Sequence, residues 1–162
     1  MNSPRVALPG SALSPEREQH WIAAADPNQK IVATIVLRRR ASAAHLGEEL
    51  LAGSAPTISR AEAAQIGADP NDMAAVRDFA AQNGLKVIEE NPAARRLRVE
   101  GTIQQTDAAF GVEIARFADK QGQQFLSYQG TILIPESLRG IIIAVLGLDQ
   151  RSAARHHAAT CQ

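Results

Sequence analysis

Few side chains in this 162-residue chain are placed to do chemistry. The histidines are His20, His45, His156 and His157, and none stands at metal-ligand spacing from a Cys, Asp or Glu on a helix. The adjacent pair His156-His157 could at most bind a metal adventitiously. Glu89 and Glu90 are neighbours in a β-type run, so their carboxylates point to opposite faces and cannot form an acid/base dyad. Cys161 is the single cysteine, one residue from the end, with no structured base beside it to make it a nucleophile. A single cysteine also excludes an internal disulfide and a cysteine-rich metal site. There is no Gly-rich phosphate loop and no G-x-S-x-G elbow. Gly84, Gly101 and Gly111 read as helix and strand punctuation. Arg38-Arg39-Arg40 could hold a phosphate, but such a run is more often a solvated strand end. These residues argue against catalysis by this chain.

Composition narrows the partners. Lys+Arg and Asp+Glu are both 17, giving zero formal net charge, whereas nucleic-acid binding normally leaves a basic footprint. Aromatics are only 4%, too few for a base-stacking surface. The longest apolar run, 140–148, is far too short to cross a bilayer. Residues 1–27 lack the continuous apolar segment of an ordinary signal peptide.

The elements that must position any site are clearly punctuated. A strand is predicted over 31–37, where β-branched aliphatic residues dominate. A short helix is possible around 45–52, and Ser59 with Glu62 forms a capping box whose helix Gly67 would stop. Asp69 as N-cap and Pro70 at the first helical position start the next helix, with Met73, Val76, Phe79 and Ala80 on one face. Gly84 closes it. A strand over 85–89, the break at Asn91-Pro92 and a strictly alternating strand over 96–100 follow. Thr102 and Gln105 form a second capping box, and Gly111 ends that helix. A hairpin around 119–122, an extended segment at 132–134, one helical turn at 135–139 and a strand over 141–146 complete the pattern.

The order is β-α-β-β-α-β with decorations. It predicts an α+β, ferredoxin-like antiparallel sheet with two helices on one face and the first and third strands central. Residues 1–25 read as an N-terminal arm anchored by ordinary packing of Trp21, 26–149 as the domain, and 150–162 as a C-terminal linker. The runs at 31–37 and 141–146 are apolar on both faces, although a two-layer sandwich covers only one. The second face must be covered by the arm, by a second copy or by a partner.

Three stretches, 26–40, 58–117 and 134–151, resemble the activation domain of pro-kumamolisin and its relatives, the sedolisin or serine-carboxyl peptidases. The most specific matches are Gly67-Ala-Asp-Pro70, the segment from Gly101-Thr102 to Ala109-Phe110-Gly111, and Val145-Leu146-Gly147-Leu148-Asp149. The resemblance implies a propeptide that assists folding of its protease, blocks the cleft and is removed autocatalytically in acid. It places the catalytic Ser, Glu and Asp, the oxyanion Asp and the calcium site in a protease domain, and none of those motifs is present here. No catalytic, metal or cofactor residue carries over to this chain. The implied partner is a cognate sedolisin-type protease domain, with no nucleic acid, membrane or small-molecule substrate. The implied location is extracellular or periplasmic, which contrasts with the missing signal peptide.

On this reading Val32, Val36, Ile142, Ala144 and Leu146 form the face that docks on the protease. The linker, with Arg151, Arg155, His156, His157 and Gln162, spans the cleft as an extended peptide. Acid release would draw on Glu89, Glu100, Glu113 and Glu136 paired across the interface, or on His156 and His157 charging near pH ~6.5. The alternative is a stand-alone ferredoxin-like module that dimerises through its open face or senses a ligand. A nucleic-acid module of this topology ranks third.

Overall fold

The computed structural model describes residues 3–13, 19–40, 61 and 66–151. The helix expected at 45–52 lies outside these residues, and of the one expected between Ser59 and Gly67 only Ala61 and Ile66 are described, both helical. Nine strands are described: β1 (Arg5–Ala7), β2 (His20–Ala24), β3 (Lys30–Leu37), β4 (Lys86–Asn91), β5 (Arg96–Thr102), β6 (Glu113–Ala118), β7 (Gln124–Gln129), β8 (Leu133–Pro135) and β9 (Ile142–Leu146). Helices α1 (Pro70–Gln82) and α2 (Ile103–Phe110) accompany them, with a 3-10 turn at Glu136–Leu138.

The central sheet has the order β4-β5-β3-β9 and is antiparallel throughout. The first and third strands of the β-α-β-β-α-β repeat, β3 and β5, are therefore central, as the ferredoxin-like pattern requires. Local sequence explains the helices. Asp69 Oδ1 accepts from the Asn71 N–H at 2.8 Å, and Pro70 begins α1. Thr102 and Gln105 cap α2 reciprocally, at 3.2 and 2.9 Å. Gly111 closes it in the left-handed conformation at φ 61°. Met73, Val76, Phe79 and Ala80 are all buried, and the Phe79 ring meets Phe110 edge-on at 5.8 Å. The two helices thus share one core with Ile31, Ala33, Ile35 and Leu37 of β3 and Leu97 and Val99 of β5.

Three features depart from the sequence expectation. The β structure is not one sheet: β2-β6-β7 and β1-β8 form two further small sheets. Both use the segment expected as an arm, since β1 pairs with β8 and β2 with β6. Leu8 is 2% exposed, and the Tyr128 hydroxyl donates to the Ser11 carbonyl. Trp21, expected to pack, is 57% exposed on the outer strand β2. Gly67 is not a left-handed stop. It is buried where an added Cβ would sit 2.2 Å from the Pro92 carbonyl oxygen, so it serves a close backbone approach.

Candidate docking face

The two doubly apolar runs do not behave as strands buried on both sides. β3 alternates: Ile31, Ala33, Ile35 and Leu37 are buried under the helices, while Val32, Thr34 and Val36 are half-buried on the other face. In β9, Val145 and Ile142 turn to the core and Leu146 is 55% exposed. A bulge opposite Val36 and Leu37 leaves Ile143 without a partner in β3 and turns it outward.

Register places the second face in three cross-strand rows. Lys86, Glu100 and Val32 form the first. Glu89, Arg98, Thr34 and Leu146 form the second, and Asn91, Arg96, Val36 and Ala144 the third. The face is divided. Its β4-β5 half is charged, and its β3-β9 half is mostly apolar and half-buried, with Leu146 exposed. Of the five residues expected to dock, Val32, Val36, Ala144 and Leu146 come together there. Ile142 does not; it pairs with Leu37, is 2% exposed and belongs to the core. The bulge shifts the side-chain phase within a run that is apolar throughout, so sequence alternation could not assign it. Residues 8–13 approach the β9 edge of these rows, sharing a groove with Ala144 and Leu146. That groove, of about 440 Å³, also touches Tyr128.

Most charges of the charged half are paired within the chain. Glu89 accepts from Arg96 at 2.8 Å and from Arg98 at 3.1 Å, and these bonds, Arg98's first, hold its carboxyl below the ordinary value. Glu90 points the opposite way and accepts from Arg77 of α1 at 2.6 and 2.8 Å, which lowers its pKa in turn. The two acids therefore form no dyad. Lys30 Nζ lies 3.3 Å from Glu100. Two acids expected to pair across an interface, Glu89 and Glu100, thus have partners in their own chain. Glu113 stands exposed on β6 and Glu136 in the 3-10 turn.

Arg151 is built into the fold. Its guanidinium donates to Gln19 Oε1 at 2.5 Å and lies 4.7 Å from the Phe125 ring centroid. Gln150 N–H donates to the Leu126 carbonyl at 2.8 Å. Sequence could not have shown this, because Gln19 and Phe125 are distant in the chain. Arg155, His156, His157 and Gln162 lie outside the described residues. No group of three or more His, Cys, Asp or Glu able to hold a metal occurs among the described residues. No helix among them is long and apolar enough to cross a membrane.

Two comparisons address this architecture. Residues 19–151 match the family profile described as Pro-kumamolisin, activation domain. Kumamolisin from Bacillus sp. (strain MN-32) is 36% identical over 136 residues, covering 80% of this chain. The chain spans only 24% of that relative's length.

Proposed function

The chain belongs to the pro-kumamolisin activation-domain family, and on that premise we propose that it is the propeptide of a sedolisin-type serine-carboxyl endopeptidase. It docks on the protease, blocks the cleft, assists folding of the catalytic domain and is removed autocatalytically in acid. Its place of action is extracellular or periplasmic.

The observation that carries the docking reading is the β3-β9 half of the central sheet. Val32, Val36, Ala144 and Leu146 share one face across two strands; the first three are half-buried, and Leu146 is more than half exposed. An apolar patch with a charged rim is the usual anatomy of a protein interface. Residues after Arg151 then continue toward the cleft from a fixed point.

The test is inhibition in trans of mature kumamolisin from Bacillus sp. strain MN-32. The wild-type chain is expected to inhibit. Val36→Asp and Leu146→Asp should raise the inhibition constant by at least about tenfold, as a charge placed at an interface centre does. Leu146→Asp should leave the thermal midpoint of the free domain unchanged. Inhibition untouched by both substitutions would refute docking through this face. A concentration-dependent dimer abolished by Leu146→Asp would favour the stand-alone module instead.

A further inference from the structure

One end of the central sheet carries two cations with no acid among the described residues to answer them. β3 runs out into Arg38, Arg39 and Arg40. Arg38 donates to Asp72 at 2.7 and 3.1 Å, and Arg40 Nε lies 3.7 Å from Asp69. Nearby, Arg96 and Arg98 are held by Glu89, and Arg77 by Glu90. Arg39 is exposed and has no acidic partner among the described residues. Neither has Arg95, in the turn between β4 and β5. One Arg95 N–H donates to the Leu37 carbonyl at 3.1 Å, and the Arg95 carbonyl accepts from the Leu37 N–H at 2.8 Å. The guanidinium is thereby pinned two residues along the chain from Arg39. A carbonyl uses one of its five donors and neutralises no charge. Partial burial lowers the Arg95 pKa from its ordinary value, and the Arg39 charge lowers it further.

The backbone adds an independent sign. Arg95 has φ 55° and is the one non-glycine residue with positive φ among the described residues. Gly or Asn would occupy this turn position with less strain. Strain retained beneath a charged side chain points to a role for that side chain. Position supplies the partner: the next residue, Arg96, lies in the same cross-strand row as Val36 and Ala144.

We propose that Arg39 and Arg95 form a carboxylate-binding site at the rim of the docking face, receiving an acidic side chain of the protease domain. The proposal rests on the propeptide reading above and names the chemistry of the partner at that face. A guanidinium fork matches a planar carboxylate, and two such forks at one sheet end, in a chain of zero net charge, make a local excess that no acid among the described residues neutralises. Rim charges of this kind act mainly on association rate and its salt dependence.

The test compares wild type, Arg39→Gln, Arg95→Gly and the double variant against mature kumamolisin at several salt concentrations. Arg95→Gly relieves the strain, so that variant should fold with an unchanged or higher thermal midpoint. The double variant should bind on the order of fivefold more weakly, mostly through slower association, with a flatter salt dependence. Arg77→Gln, which removes a partner of Glu90 on the helix side, should leave association unchanged. A double variant with the wild-type rate and salt slope overturns the carboxylate site and leaves docking standing. A wild-type chain that fails to inhibit overturns both.

Discussion

Replacing Asp107 by Asn should stabilise the domain at neutral pH and leave it unchanged in acid. Asp107 sits in the last turn of α2, where a negative charge meets the negative end of the helix dipole. Its Oδ1 accepts from the Ile114 N–H at 3.0 Å, tying the helix end to β6. Burial pushes its carboxyl up to about 6, with the charge of Glu113 adding to the rise and the Ile114 bond opposing it. The folded-state value lies above the unfolded one of 3.8, so the ionised carboxylate penalises folding at pH 7. That penalty fades as pH falls through about 6 and is gone below 3.8. The shift of about 2 units corresponds to at most about 3 kcal/mol, and partial exposure reduces this to about 1–2 kcal/mol. Asn keeps the acceptor for Ile114 and removes the charge. At pH 7 the variant should therefore melt about 3–6 °C higher than wild type. Urea or thermal denaturation at pH 7, 6, 5 and 4 reads the difference, which should shrink steadily toward zero. An equal pH dependence in both proteins, with no gain at pH 7, would refute the reasoning.

Two further outcomes follow from the geometry. Gly147→Ala should destabilise the domain by about 1–3 kcal/mol, because Gly147 has φ 94° and an added Cβ would lie 2.6 Å from the Val32 carbonyl oxygen; thermal denaturation checks it, and an unchanged midpoint would contradict it. Affinity for mature kumamolisin should fall between pH 7 and pH 4 while the free domain stays folded by circular dichroism; a flat affinity curve, or unfolding in the same interval, would count against acid release at the interface.

Sequence revealed what is decided within a few residues. Thr102 with Gln105, and Asp69 with Pro70, announce helix starts because capping bonds span at most three positions. Arg96, Arg98 and Glu100 alternate with Leu97 and Val99, so the two faces of β5 could be told apart. The same test fails for Ile141-Ile142-Ile143-Ala144-Val145-Leu146, where every side chain is apolar and a bulge changes the phase. Hence Ile142 was expected on the docking face and lies in the core, while Ile143 and Leu146 are exposed. Long-range pairing was equally hidden. Nothing local marks His20–Ala24 as a partner of Glu113–Ala118, or Arg151 as a ligand of Gln19. Arg39 and Arg95 gave no signal as a pair, because only the β3-β5 register brings the second turn to the end of β3.

The domain's own titrations bear on what acid would do to it. Lowering the pH through about 6 relieves the Asp107 penalty and strengthens the fold. Glu89 and Glu90 act in the opposite sense. Their arginine partners depress their folded-state values, so that stabilisation is present above the ordinary carboxylate value of 4.5 and is lost only as pH falls through the depressed ones. Between these two ranges no described carboxylate with a displaced pKa weakens the domain. Release in that interval would then start from a folded propeptide, and its trigger would belong to contacts across the docking face. An acidic side chain held by Arg39 and Arg95 would be depressed as Glu89 and Glu90 are, so its protonation would loosen the complex only below the ordinary carboxylate value, and release within that interval needs other groups across the face.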